Sequence, residues 1–167
     1  MFLPIQELSS SARVWIYASS KPIPSEVQLR LQAAGELFTS EWTAHQQPLK
    51  ASFAILHQHI IVFAVEVNFQ DISGCGIDKS VRLVQEWEQE FQLGFFNRLQ
   101  LEYLNEQSEL VVVSKKEALS LFEQGKISNA TLFVNKTIQT LNELRNELLI
   151  PFNKTWAYPI TLSQIAE

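Results

Sequence analysis

The stretch KASFAILHQHIIVFAVEV, Lys50 to Val67, decides the fold. It is too long for one strand of ordinary length, and the polar triplet from His57 to His59 divides it into two apolar halves rich in β-branched and aromatic residues. This pattern predicts two antiparallel strands joined by a tight turn. A β-hairpin is therefore expected within an antiparallel sheet.

A strand and a helix are expected on each side of this hairpin. ARVWIYA, from Ala12 to Ala18, has the composition of a strand, and NRLQLEYL, from Asn97 to Leu104, alternates like one. Apolar residues recur at helical spacing in two segments: Val27, Leu31, Ala34, Phe38 and Trp42 after Pro24, and Ile77, Val81, Val84, Trp87 and Phe91 before Gly94. The resulting βαββαβ order predicts an α+β, ferredoxin-like sandwich over residues 12–104.

The last third of the chain is expected to be an α/β extension of the same body, residues 105–167. ELVVV predicts a strand, Ser114 with Glu117 forms a capping box for a helix that ends at Gly125, and Thr140 with Glu143 predicts a last helix that reaches Leu149. No linker rich in Gly, Ser or Pro separates the two parts. The sequence therefore predicts a single domain, 1–167, with a second small domain over residues 105–167 as the alternative.

Composition excludes several classes of partner and site. The chain has 167 residues, a net charge of -5 and no dense Lys/Arg run, which argues against nucleic acid. The longest apolar run, Ile60 to Val65, is too short to cross a membrane, and no export signal is recognisable, so a cytoplasmic protein is expected. A lone Cys75 and scattered histidines predict no metal site and no cofactor.

The loop SGCGIDKS, Ser73 to Ser80, is the candidate site. If Lys79 and Ser80 are aligned with the end of a P-loop, Ser73 and Asp78 occupy its two glycine positions, so a nucleotide-hydrolysing loop is not expected. Gly74 and Gly76 let the backbone curl, and a helix that starts near Ile77 directs unpaired N–H groups into that curl. An anion is the ligand that such a turn favours.

Chain direction in the expected fold brings distant residues to this loop. The loop before the second strand and the loop before the second helix lie at the same end of the sheet, whereas His57 and His59 lie at the opposite end. The candidate ligand-binding residues are Arg13, Trp42, Lys50, Ser73, Gly74, Gly76, Asp78, Lys79 and Ser80. Cys75 beside a helix N-terminus is a candidate nucleophile, with His45 as its base.

The segments SARVWIY, EWTAHQQPLKASF and SGCGIDKS resemble a family of small uncharacterised bacterial proteins, and the resemblance runs over most of the chain. Members of this family are sometimes labelled ABC transporter ATPase automatically, and the failed P-loop alignment argues against that label here. Three hypotheses follow: a non-enzymatic binding or regulatory domain for a small anionic ligand or a protein partner, a Cys/His-dependent acyl-transfer or hydrolase-type enzyme, and a structural protein that assembles into oligomers.

Overall fold

A computed structural model describes residues 1–44, 47–66 and 74–159, with residues 44 and 74–76 described by their backbone alone. The chain divides into two compact units. Unit 1 comprises Met1–Asn97 and Lys136–Glu147, and unit 2 comprises Arg98–Asn135 and Leu148–Glu167. The sequence places the boundary between core and extension at residue 104 instead, because it assigns the strand after Gly94 to the first sheet.

Unit 1 contains a three-stranded sheet, a two-stranded hairpin and three helices among its described residues. Its first segment contains, in chain order, β1 (Arg13–Ala18), α1 (Ser25–Glu41), β2 (Thr43–Ala44), β3 (Gln47–Pro48), β4 (Lys50–Leu56), β5 (Ile60–Glu66) and α2 (Gly74–Phe91). The chain then passes through unit 2 and returns to unit 1 with α4 (Leu141–Glu147). The elements of unit 2 are β6 (Leu101–Leu104), β7 (Leu110–Val113), α3 (Lys115–Glu123), β8 (Leu132–Val134) and β9 (Leu149–Pro151).

The predicted hairpin is confirmed. β4 and β5 pair antiparallel from Lys50 opposite Glu66 to Leu56 opposite Ile60, and β1 pairs antiparallel along the other edge of β5, which gives the order β1-β5-β4. The turn between β4 and β5 is tight enough that His57 and Gln58 take positive φ angles of 49° and 58°. These angles lie in the left-handed region, which few non-glycine residues adopt.

The core of unit 1 lies between this sheet and the helices. On the helix-facing side of the sheet, Phe63 stacks on Trp87 of α2 with ring centroids 6.1 Å apart, and Phe53 meets the same indole at 5.6 Å. Gly35 lets α1 approach β4 so closely that a Cβ there would overlap the ring of Phe53. β5 is buried from Ile60 to Val65, which shows that both faces of this strand are covered.

Within residues 98–135 and 148–159, unit 2 contains a four-stranded antiparallel sheet in the order β7-β6-β8-β9. The predicted fourth strand is β6, and it pairs with β7 and β8 in this second sheet. The α+β class is therefore confirmed, whereas the specific ferredoxin-like topology with four strands in the first sheet is not. Because each unit has only a small sheet, packed aromatic rings such as Phe133 on Phe152, 4.9 Å apart, form much of its core.

Several element boundaries differ from the sequence-based ones. Both predicted capping boxes are present, at Ser114 with Glu117 and at Thr140 with Glu143. The last helix ends at Glu147, however, because Leu149 to Pro151 extend and pair with β8. The helix predicted to start near Ile77 begins three residues earlier, at Gly74. The short β2-β3 hairpin was not predicted.

Within the residues that the structure describes, none of the helices combines the length and the apolar character that a membrane span needs.

Candidate functional site

The candidate site lies at one end of the three-stranded sheet, where β1 and β4 begin and β5 ends; we call it the Arg13 end. Arg13, the first residue of β1, lies opposite Val65 of β5, and Val65 lies opposite Ala51 of β4. Lys50 lies opposite Glu66, one position further out. Antiparallel pairing thus brings the starts of two strands, separated by 37 residues in sequence, to the same edge.

Helix α2 begins at this same end. Its C-terminal side is fixed at the opposite end of β1, because the N–H group of Ser20 donates to the carbonyl of Leu93 over 2.7 Å. The carboxylate of Glu88 accepts from the N–H groups of Gly94 and Phe95 at 2.8 and 3.0 Å and so closes the turn after the helix. A helix that ends beside Ser20 and packs along the sheet through Trp87 must begin toward Arg13.

The sheet separates Arg13 from Lys50. Arg13 shares a face with Trp15 and Val65, which is the face that the helices cover, and its guanidinium carbon lies 5.2 Å from the Trp15 ring centroid. Lys50 and Glu66 point to the other face. There the Lys50 amine lies 3.4 Å from the Glu66 carboxylate, which also accepts from the N–H of Ser9. The structure therefore does not place Arg13 and Lys50 together.

The pairing of Lys50 with Glu66 was missed by the sequence analysis, although a signal for it exists. In a hairpin whose turn is centred on Gln58, residues whose numbers are equally distant from 58 lie opposite each other. Lys50 and Glu66 satisfy this condition, and the register confirms it. Opposite charges that face each other across two strands stabilise the pair by about 0.2 to 1 kcal/mol.

Trp42 lies at the Arg13 end but inside the core. Only 2% of it is exposed, and its ring packs against Phe38 at 5.0 Å and Trp15 at 6.0 Å. Its carbonyl accepts from the N–H of Leu49, which joins the end of α1 to the start of β4. Trp42 is therefore placed to hold Trp15, and through it Arg13, in position.

The first two turns of α2 contain the other described candidates. Gly74 to Gly76 form the first turn, whose N–H groups have no partners within the helix. Asp78 and Lys79 follow on the exposed side of the helix. Ser80 is buried, and its hydroxyl donates to the carbonyl of Ile77 over 2.8 Å.

Part of the candidate site lies outside the described residues. This is the case for His45, for Ser73 and for the side chain of Cys75. The hypothesis that Cys75 acts as a nucleophile with His45 as its base therefore stays a prediction.

The two remaining histidines lie at the far end of the sheet, in and beside the β4-β5 turn. His59 is buried, and its Nδ1 lies 3.3 Å from both the hydroxyl and the carbonyl oxygen of Ser19. The Ser19 hydroxyl donates to the carbonyl of Lys21 over 2.7 Å, so it is held by the backbone. Across the part of the chain that the structure describes, His, Cys, Asp and Glu form no group that could hold a metal ion.

Two carboxylates with lowered pKa values lie at the two capping boxes. The N–H of Ser114 lowers the pKa of Glu117, and the N–H groups of Gln139 and Thr140 lower the pKa of Glu143. Both shifts arise because backbone hydrogen bonds favour the ionised form. These groups stabilise helix starts, and neither lies at the Arg13 end.

Comparison with known proteins adds no assignment at this point. No family model, no curated protein and no solved structure matches the chain. The resemblance to small uncharacterised bacterial proteins therefore stays a prediction.

Proposed function

We propose that this protein is a non-enzymatic binding protein, and that the helix-covered side of the Arg13 end holds a small anionic ligand or an acidic group of a partner. The observation that carries the proposal is the position of Arg13 on the same face and at the same end as the start of α2. A guanidinium and the N–H groups of a first helical turn, which have no partners within the helix, are both donors that prefer anions.

Two features of the described residues support an anion at this position. The Trp15 ring lies against the Arg13 guanidinium at 5.2 Å, which limits its rotamers and lowers the entropy lost on binding. Lys79 is exposed in the second turn of α2, and helical side chains lean toward the N-terminus of their helix. Lys50 is not part of the proposed site, because its amine pairs with the Glu66 carboxylate on the other face of the sheet.

The test is ligand-dependent thermal stability. A panel of phosphate, nucleotides, and di- and tricarboxylates is screened, because a ligand that binds only the folded state raises the melting temperature. We expect at least one anion to raise it, and we expect Arg13→Gln and Lys79→Gln to reduce that rise. Lys21→Gln, an exposed lysine after the far end of β1, is the matched control and should leave the rise unchanged.

Two outcomes would contradict the proposal: no anion in the panel stabilises the protein, or the stabilisation survives in the Arg13→Gln, Lys79→Gln double variant. The hypothesis of a Cys75 enzyme has a separate readout, the pH dependence of thiol labelling. A Cys75 that reacts only near its ordinary pKa of about 8.5 would count against that alternative.

We also propose that the sheet of unit 1 has a ferredoxin-like arrangement and that the protein is cytoplasmic. The strand order β1-β5-β4 supports a ferredoxin-like arrangement that has three strands instead of four. The single cysteine supports a cytoplasmic location, because it can form no internal disulfide and structural disulfides are typical of secreted proteins.

A further inference from the structure

Trp156 of unit 2 differs from the tryptophans of unit 1. Trp42 and Trp87 are 2% and 5% exposed, and Trp15 packs against the core, whereas Trp156 is 52% exposed. An indole is costly to leave in water, since it offers more apolar surface than almost any other side chain. Its exposure sets it apart from the other three tryptophans.

The segment that carries Trp156 is held firmly on both sides. Phe152 is fully buried and packs against Phe122 and Tyr158, each at 5.4 Å. The N–H of Thr155 donates to the carbonyl of Phe152 over 2.9 Å, and the N–H of Tyr158 donates to Thr155 over 3.2 Å. Trp156 is thus an exposed aromatic ring on a fixed backbone, which is the property of an interface anchor.

A cation is positioned on this ring. The amine of Lys115, the first residue of α3, lies 5.6 Å from the Trp156 ring centroid. Within residues 1–44, 47–66 and 74–159, salt bridges join Arg30 to Glu90 and Lys50 to Glu66, and Lys115 takes part in neither. Its charge is therefore available to a ligand while the ring restricts its motion.

The start of α3 is electropositive as a whole. Lys115 and Lys116 occupy its first turn, where the helix dipole disfavours cations. The one carboxylate there, Glu117, accepts from the N–H of Ser114 over 2.7 Å and is engaged in the capping box. Lys154 is exposed two residues before Trp156. Lysines placed against the dipole do not help the helix, which indicates another role for them.

From these observations we infer that the Trp156 patch, defined by Trp156, Lys115 and Lys116, docks an acidic segment of a protein partner. An apolar side chain of that segment packs on the indole, and a neighbouring Asp or Glu pairs with Lys115. Charge complementarity selects an acidic segment, because Lys115 and Lys116 would repel a basic one. Nucleic acid is disfavoured because neutralising a run of phosphates takes many clustered cations, whereas the patch contributes Lys115 and Lys116.

The experiment measures binding of labelled short peptides to the full chain by fluorescence anisotropy. One set has Glu residues on both sides of a Leu or Phe, and the matched set has Gln in their place. We expect saturable binding of the Glu set alone, weakened by raising the salt from about 50 to 500 mM. Trp156→Ala should weaken it about tenfold or more, as for an interface anchor, and Lys115→Gln about threefold.

Lys126→Gln supplies the control, because Lys126 is an exposed lysine of the same unit that follows α3. It should leave binding unchanged, and each variant should keep the wild-type melting curve. Three results would overturn the inference: no Glu peptide binds, Gln peptides bind equally well, or a single-stranded oligonucleotide competes as strongly as the Glu peptides. Arg13→Gln should have no effect, so failure here is distinguishable from failure of the proposed anion site.

Discussion

Gly35 shows how one residue sets the distance between a helix and a sheet. A Cβ at this position would overlap ring carbons of Phe53, and that ring is itself enclosed by Phe63 and Trp87. The glycine costs α1 about 1 kcal/mol of helix propensity relative to alanine. The sequence shows this cost but not its compensation, which is the close packing of α1 on β4.

We predict that Gly35→Ala destabilises the protein by about 1 to 3 kcal/mol, because overpacking exceeds the gain in helix propensity. Urea denaturation measures the change. Gly125→Ala is the comparison: Gly125 has a φ of 68° but nothing within 4 Å of its Cβ position, so only backbone strain of about 1 to 2 kcal/mol is expected. An unchanged or higher stability of Gly35→Ala would contradict the packing argument.

Two buried serines have opposite environments. The hydroxyl of Ser52 on β4 has no hydrogen-bond partner among the described groups, whereas that of Ser80 donates to Ile77. We predict that Ser52→Ala leaves stability unchanged or raises it, since an unsatisfied buried hydroxyl is removed. Ser80→Ala should cost about 1 kcal/mol. Equal losses in the two variants, measured by thermal unfolding, would contradict this distinction.

At the scale of elements, local sequence signals located the described structure well. The break at His57 to His59 gave the hairpin, and each capping box is where its Ser or Thr and its Glu predict. A capping box needs only four consecutive residues, so no distant contact can displace it easily. Leu149 to Pro151 had no such signal, and pairing with β8 decided that they form a strand.

The capping boxes predict a dependence of stability on pH. The folded-state pKa values of Glu117 and Glu143 are lowered, so their contribution is complete above the unfolded-state pKa of about 4.3 and is lost as pH falls through the folded-state values. The melting temperature should therefore fall in acid. In the double variant Glu117→Gln, Glu143→Gln, the decrease in melting temperature from about pH 5 to about pH 3 should be smaller than in the wild-type protein. An identical acid profile would contradict this origin.

At the scale of the whole molecule, β5 is the central strand of the three-stranded sheet of unit 1. It lies between β1 and β4 and is buried from Ile60 to Val65. We predict that its amides show the slowest hydrogen exchange in the unit, close to the rate set by global unfolding. Mass spectrometry of exchanged peptides measures this rate. Exchange of β5 as fast as that of the edge strand β4 would show that the sheet opens locally first.

The sequence by itself determined the hairpin, both capping boxes and the α+β class. It also determined the end of the sheet at which Arg13, Lys50 and the start of α2 lie. These features follow from periodicity, caps and chain direction, which are local properties. Tertiary structure alone decided that β6 joins the second sheet, that α4 belongs to unit 1 while β9 belongs to unit 2, and that Trp156 is exposed while Trp42 is buried. The physical reason is that any strand exposes the same backbone donors and acceptors along its edge, so its neighbour is selected by the burial of side chains distant in sequence.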